Sequence, residues 1–568
     1  MTERIALLYD DDAYVEVPQA QQPVASDRAI GLMGRHVAGK EFLEALLRHG
    51  QWSELVAVVR HQASRQSLQS LWQSHPGATG RRLRILSELE FHRTFLAERA
   101  APLLHMPGPL HARYAWARQH AAPAALALSG ITHTICDDTV AHAICDLVTA
   151  PFEPYDALIC ISRAAVDVVR TVAGIYADYL RDRHGGTPAL RVRLEHIPLG
   201  VNPEKYYPAA PEDRSRMRQA LHITDDEVVV LYVGRLSFHA KVHPFPMFVG
   251  VSRAARAAGR KVHLVLAGWT ANEPIRKAIV EGAQRLAEGV RVTILDGTQP
   301  QYRYAVWHAA DIFTSLSDNI QETLSQAILE GMACGLPVVA TNWDGCRDQV
   351  VDGETGFLVP AYHIAHATAD TTSRLLLQEM TYDIFLAECN QAVAVDTAAA
   401  ANAFRRLIDD ESLRRRMGAA GRRRVLEKFT WGSVVRACEE LWAAQDRERR
   451  AHEAALEGHT RTFTGPACFP APEVGFASYP TALLDEDSQL ETVEGAQERL
   501  DLVLSLPLTN YVPETRVTDR GLLQSLLSAA PCAVSDLDRI LGSRGISRIN
   551  SRATIAWLLK YDLLRVAR

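Results

Sequence analysis

From residue 1 to about 445, short apolar runs alternate with longer amphipathic ones. "RIALLYD" reads as a strand. "AGKEFLEALLRHG" has apolar positions at helical spacing and a stop at Gly50, so it reads as a helix. "ELVAVV", "ALALSGITHTI", "YDALICIS" and "VRLEHIPLGV" follow as strands with helical stretches between them. This βαβ rhythm predicts a parallel sheet covered on both faces. After residue 205 the rhythm restarts with "EVVVLYVGR", "KVHLVLAG", "RVTILDG", "DIFTSLS" and "LPVVAT". "PLGVNPEKYYPAAPEDR" lies between the two series and reads as an interdomain linker. The expected fold class is α/β: two doubly wound Rossmann-like domains, 1–205 and 206–445, facing a cleft. Ligands of such sheets sit at the carboxyl ends of the strands.

Beyond residue 445 the pattern changes. Residues 446–514 include a stretch rich in Pro, Gly and Ser, and read as a linker or loosely structured segment. Residues 515–568 are compact and helical, with Ser535 placed to cap the middle helix, and read as a small winged-helix-like module. Arg544, Arg548 and Arg552 could face phosphates as in a recognition helix. Acidic neighbours instead favour a protein partner or self-association, so nucleic acid is not the expected partner.

Composition narrows the picture only a little. The 568 residues are 47% hydrophobic and 23% charged, ordinary for a chain with large cores. A net charge of −6 gives no general pull toward nucleic acid or anionic membrane. The first residues lack a basic stretch followed by an apolar core, and no run reaches the roughly 18 apolar residues of a membrane span. The expected location is the cytoplasm, free or peripheral at the inner membrane face. The nine cysteines form no CxxC pair and read as reduced, buried thiols.

One stretch raises a chemical question. In "NIQETLSQAILEGMACGLPVVAT" the part "SQAILEGMACG" has helical spacing, with Leu324, Ala327, Ile328 and Gly331 on one face and Gly335 at the end. Glu322 precedes the helix, and Glu330 is expected about two turns inside. A strand comes just before, so the helix N-terminus lies at a strand's carboxyl end, where an anion is favoured. Carboxylates beside that anion suit sugar and ribose hydroxyls. Arg235 and Lys241, on the loop after an earlier strand, could neutralise a diphosphate. Taken singly, each has a plainer reading: a helix-start residue, a surface carboxylate, two solvated cations.

Taken in order, "VGRL", Lys241 and "DIFTSLSDNIQETLSQAILEGMACGLPVVATNWDGCRDQVVDGETGFLVP" resemble the retaining glycosyltransferases of family 4 (glycosyl transferases group 1), which have the GT-B fold. The resemblance covers roughly residues 1–445 and is strongest over 227–360. It implies that Glu322 contacts donor-sugar hydroxyls, Glu330 holds the ribose, and Arg235 and Lys241 neutralise the diphosphate. Backbone N–H groups of Thr323, Leu324 and Ser325 would complete the cradle. Gly297 would stand in the base-binding loop and Gly34 in a glycine loop near the donor phosphates. His133 would line the cleft near the sugar; Asp138, close by, has no clear role.

The implied reaction moves a sugar from a nucleotide-diphosphate sugar, as co-substrate, to a glycan, lipid or small-molecule acceptor with retention at the anomeric carbon, as in polysaccharide biosynthesis. It requires no metal and no cofactor. Thr323-Leu324 stand where the family often has Phe-Gly, and Gly331 where Ala is usual, which leaves the donor open. Residues 361–395 are longer than the usual connection and are expected to form an extra helical hairpin. Two alternatives stand beside this reading: a nucleotide-sugar-binding regulatory protein with a degenerate transferase fold, and a nucleotide-sugar epimerase.

Overall fold

The computed structural model describes residues 3–14, 34–92, 101–121, 124–456 and 466–567. They group into two compact units, one reaching residue 463 and one beginning at 464. The first unit contains two parallel sheets. In the first sheet β1 (Arg4–Tyr9), β2 (Glu54–Val59), β3 (Arg82–Ser87), β4 (Leu103–His105), β5 (Ala127–Ile131), β6 (Ala157–Cys160) and β7 (Arg193–His196) lie in the order β3-β2-β1-β4-β5-β6-β7. In the second, β8 (Val228–Val233), β9 (Val262–Gly268), β10 (Arg291–Asp296), β11 (Ile312–Ser315), β12 (Val338–Thr341) and β13 (Gly356–Val359) lie in the order β10-β9-β8-β11-β12-β13. Both are doubly wound Rossmann-like sheets, each reversing direction beside its first strand. Continuous apolar runs such as "VVVLYV" in β8 and "ALIC" in β6 suit strands covered on both faces, and every residue of β6 is buried.

Three elements of this unit bear on function. Helix α1 (Gly34–His49) packs over the first sheet, with Leu43 and Leu46 fully buried. Helix α2 (Gln326–Ala333) follows β11 in the second. Residues 361–395 do form a helical insertion: α3 (Thr371–Leu376) and α4 (Tyr382–Gln391) stand between β14 (Ala361–His363) and β15 (Val393–Val395), which pair antiparallel with Tyr362 opposite Ala394. The long helix α5 (Trp431–Leu456) then returns to the first lobe. There the Trp442 indole N–H donates to Ser129 Oγ at 3.2 Å, and the Gln445 amide donates to the carbonyls of Leu128 and Tyr155, both at 2.9 Å.

The second unit differs from its sequence reading in two places. Residues 489–505, read as part of a linker, form β16 (Gln489–Thr492) and the helix Ala496–Ser505. Strand β16 is the centre of a three-stranded antiparallel sheet, between β17 (Cys532–Ala533) and β18 (Leu564–Val566), and Leu490, Leu500 and Val503 belong to the unit's core. The Pro- and Gly-rich composition upstream masked a short alternating strand. Ser535 is not the cap of the middle helix Val534–Ser543. Ala533 occupies that position, and the Asp536 carboxylate accepts its N–H at 3.1 Å. On the last helix, Arg548–Lys560, Arg548 pairs with Glu486, and Arg552 pairs with Asp538 at 2.6 Å. Carboxylates of the unit's own chain thus occupy both side chains. The cysteines are all free thiols, but Cys468 is exposed and Cys136, Cys145 and Cys532 are only half-buried.

Candidate active site

The second sheet reverses its strand order between β8 and β11, so the loops leaving those strands open a crevice at their carboxyl ends. Arg235 and Lys241 stand on the loop after β8; Asp318 to Ser325 form the loop between β11 and α2. The Arg235 guanidinium donates to the Ala240 carbonyl at 2.9 Å and to Gln321 Oε1 at 3.0 Å. Burial lowers its pKa, opposed by the charges of Asp383, Tyr232, Tyr382 and Glu322 around it. The Lys241 ammonium is ion-paired with the buried Glu322 carboxylate. Arg235, Lys241 and Glu322 therefore share one cluster, with Gln321 beside them.

Backbone ties hold the two loops in register. The Tyr232 hydroxyl donates to the Arg235 carbonyl at 3.1 Å, and the Asn319 side chain donates to the His239 carbonyl at 2.8 Å. The Asp318 carboxylate accepts the His243 N–H at 3.1 Å, and burial pushes its pKa up to about 7. Thr323, Leu324 and Ser325 are buried, and Ser325 is the N-cap of α2. Among the described residues their amide N–H groups donate to no backbone acceptor. Those amides and the α2 dipole favour an anion at this point.

Glu330 keeps different company. Helix α2 begins at Gln326, so Glu330 sits about one turn inside it rather than two. Its neighbours are Tyr206, which hydrogen-bonds to it, then Glu41 of α1, Arg303 and Lys205. Burial pushes its pKa up to about 7, and the Glu41 charge adds to that. Gly331 does not face the crevice. A Cβ there would lie 2.9 Å from Cγ of Phe313 in β11, so the missing methyl makes room for a core ring. Gly335 follows α2 with φ +75°, in the left-handed region that ends a helix without strain.

Gly297 follows the edge strand β10. Its N–H donates to the Gly268 carbonyl at 3.3 Å, and a Cβ on Gly268 would stand 1.8 Å from the Gly234 carbonyl oxygen. The carboxyl ends of β8, β9 and β10 thus meet backbone to backbone, which places the Gly297 loop along the same sheet edge as Arg235. Gly34 opens α1; the loop before it lies outside the described residues. His133 follows β5 in the first lobe, with Nε2 3.2 Å from the Pro107 carbonyl oxygen. With Tyr14, Phe42, His105, Trp431 and Cys438 it lines a largely apolar pocket. Burial, with the His133 charge, pushes His105 down to about 3, so His105 is neutral there.

Several residues at the site carry no signal in the sequence. Glu41 accepts from the Trp431 indole at 2.9 Å and pairs with Lys205 at 3.3 Å, joining α1, α5 and the interlobe segment. Across the cleft, Ser162 Oγ donates to Asp344 Oδ1 at 2.8 Å, and the Arg163 N–H donates to Asp348 Oδ2 at 2.7 Å. Tyr382 of the insertion reaches Gln321 at 3.2 Å. Only Gln321 lies within the glutamate stretch itself. Among the described residues, no group of three or more His, Cys, Asp or Glu is arranged to hold a metal ion. No helix among them is long and apolar enough to cross a membrane.

Residues 227–378, which hold Arg235, Lys241, Glu322 and Glu330, match the profile of the family described as Glycosyl transferases group 1. The chain is similar to alpha-maltose-1-phosphate synthase of Mycobacterium tuberculosis: 28% identical over 281 residues, covering 48% of this chain and 63% of that protein. It is also similar to D-inositol 3-phosphate glycosyltransferase of Nocardia farcinica: 29% identical over 187 residues, 33% of this chain and 39% of that one. The matched stretch thus spans less than two thirds of either relative's length. Among solved structures, Anabaena Alr3699/HepE in complex with UDP aligns over 78% of this chain and 100% of its own, at 15% identity and a TM-score of 0.48.

Proposed function

We propose that the chain is a glycosyltransferase that moves a sugar from a nucleotide-diphosphate sugar to an acceptor with retention of anomeric configuration, as a family 4 enzyme acting in the cytoplasm. The observation that carries this reading is the convergence of Arg235, Lys241 and buried Glu322 beside the amides that open α2, at the strand reversal of the second sheet. The family match over 227–378 and the relatives' names, one a synthase and one a glycosyltransferase, support it.

In this mechanism the diphosphate lies across the α2 N-terminus. Lys241 leaves Glu322 for a phosphate oxygen, which frees the carboxylate for donor-sugar hydroxyls. Arg235 faces the same diphosphate, and Glu330 receives the ribose. The bond from the anomeric carbon to the diphosphate oxygen breaks as the acceptor oxygen bonds the same face of that carbon. The acceptor proton passes to the departing diphosphate. Catalysis is then electrostatic: preorganised cations and amides stabilise negative charge as it develops. His133 lines the cleft near the donor sugar, Gly34 belongs to the glycine loop near the donor phosphates, and Gly297 serves the base.

The test is nucleotide release over a panel of UDP-, GDP- and ADP-sugars. Release is expected from one donor, falling by about 100-fold or more in Arg235→Ala and Glu322→Ala. Release unaffected by both substitutions would overturn the assignment. Conversion of the donor without any acceptor would point to an epimerase instead.

A further inference from the structure

Within the insertion 361–395, Met380 and α4 pack back toward the cluster, while most of β14 and half of α3 are exposed. Met380, Phe385, Leu386 and Cys389 form a small core with Ala240 of the Arg235–Lys241 loop, and Ile320 and Cys136 pack against it. The buried Asn390 side chain donates to the Asp318 carbonyl at 3.2 Å. Tyr382, the first residue of α4, makes the most informative contacts. Its hydroxyl accepts from Gln321 Nε2 at 3.2 Å and stands 3.1 Å from Cys136 Sγ in the first lobe. At the other end of the same amide, Gln321 Oε1 accepts from Arg235 at 3.0 Å.

An amide side chain has a donor end and an acceptor end, and its neighbours decide which way it points. Here Arg235 can only donate, so it requires the oxygen, and the Tyr382 oxygen takes the N–H at the far end. Without that hydroxyl the amide loses one of the two partners that fix it, and Arg235 loses a fixed acceptor. Cys136 carries the same chain of contacts into the first lobe.

We propose that Tyr382 is a positioning residue: through Gln321 it holds the Arg235 guanidinium in place for a donor diphosphate, and through Cys136 it links that placement to the docking of the first lobe. The inference rests on the donor-site reading above.

Calorimetric titration separates the two. UDP, GDP and ADP are titrated against UMP, GMP and AMP on the full chain. If no diphosphate binds more tightly than its monophosphate, the donor-site reading fails and this inference falls with it. If one does, Tyr382→Phe is expected to reduce that diphosphate-to-monophosphate preference about fivefold, with monophosphate affinity changed by less than about twofold. Gln321→Met is expected to do the same and carries the test if the Tyr382 variant folds poorly. In an Arg235→Ala background, Tyr382→Phe should have no further effect. A preference unchanged in both single variants, or an effect that adds fully to that of Arg235→Ala, would overturn the positioning role while leaving the donor site standing.

Discussion

At the residue scale, the site sets buried charge against charge. Glu330 lies among Tyr206, Glu41, Arg303 and Lys205, with burial pushing its pKa up to about 7. In an unfolded chain a glutamate titrates near 4.3. Between these values the native state holds a proton that the unfolded state has lost, so this residue's contribution to stability falls as pH rises from about 4.3 to 7. Glu330→Gln is therefore expected to raise the melting temperature of the ligand-free protein by about 2 °C at pH 8 and to leave it unchanged near pH 4.5. The same change should weaken binding of the preferred nucleotide. Thermal melts at the two pH values check the first expectation; a higher melting temperature at pH 4.5 than at pH 8 from the substitution would reverse the sign. The place of Glu330 inside an apolar helix was legible from periodicity, while its role came only from the family resemblance. Its partners were not legible, since Glu41 comes from α1 and Lys205 from the interlobe segment. Periodicity does not report such distant pairs.

At the element scale, long strands buried on both faces were the easiest to read, because they are nearly unbroken apolar runs; β3, which is only partly buried, and the short β4 and β13 went unread. The insertion was visible as extra length after "GFLVP", but its destination was not. Tyr382 and Gln321 are 61 positions apart, and the packing of the insertion on Ala240 brings them together. Gly331 shows how an element's packing can pass for chemistry. In the sequence it is a departure beside the donor, whereas in the fold it is a gap filled by Phe313. Gly331→Ala is thus expected to destabilise the protein by about 1–3 kcal/mol with little change in which nucleotide is preferred. Denaturant unfolding paired with the titrations above would measure both. The strand β16 was lost to composition: a short segment after a run of prolines and glycines, recognisable only once β17 and β18 flank it.

At the scale of the whole molecule, the two sheets repeat one winding order, while the pieces that complete the first lobe come from far along the chain. Helix α5 supplies Gln445 to the Leu128 and Tyr155 carbonyls, and Arg449 to the Ala124 carbonyl at 2.7 Å. Removing Gln445's amide leaves buried acceptors unsatisfied, so Gln445→Ala should cost about 1–3 kcal/mol, read from urea unfolding. A fragment stopping at residue 430 should fare worse, binding a hydrophobic dye and lacking near-UV circular dichroism. A compact fragment with native near-UV signal would show that the lobe does not need α5.

That dependence has a temporal side. A ribosome finishes β7 at His196, yet the helix that answers the Leu128 and Tyr155 carbonyls starts only at Trp431. Domains usually fold as they emerge, N-terminal first. Here the leading lobe is expected to wait, its sheet exposed along the face that α5 will cover, until the trailing lobe has been made. Chaperone demand should therefore peak between those two moments of synthesis.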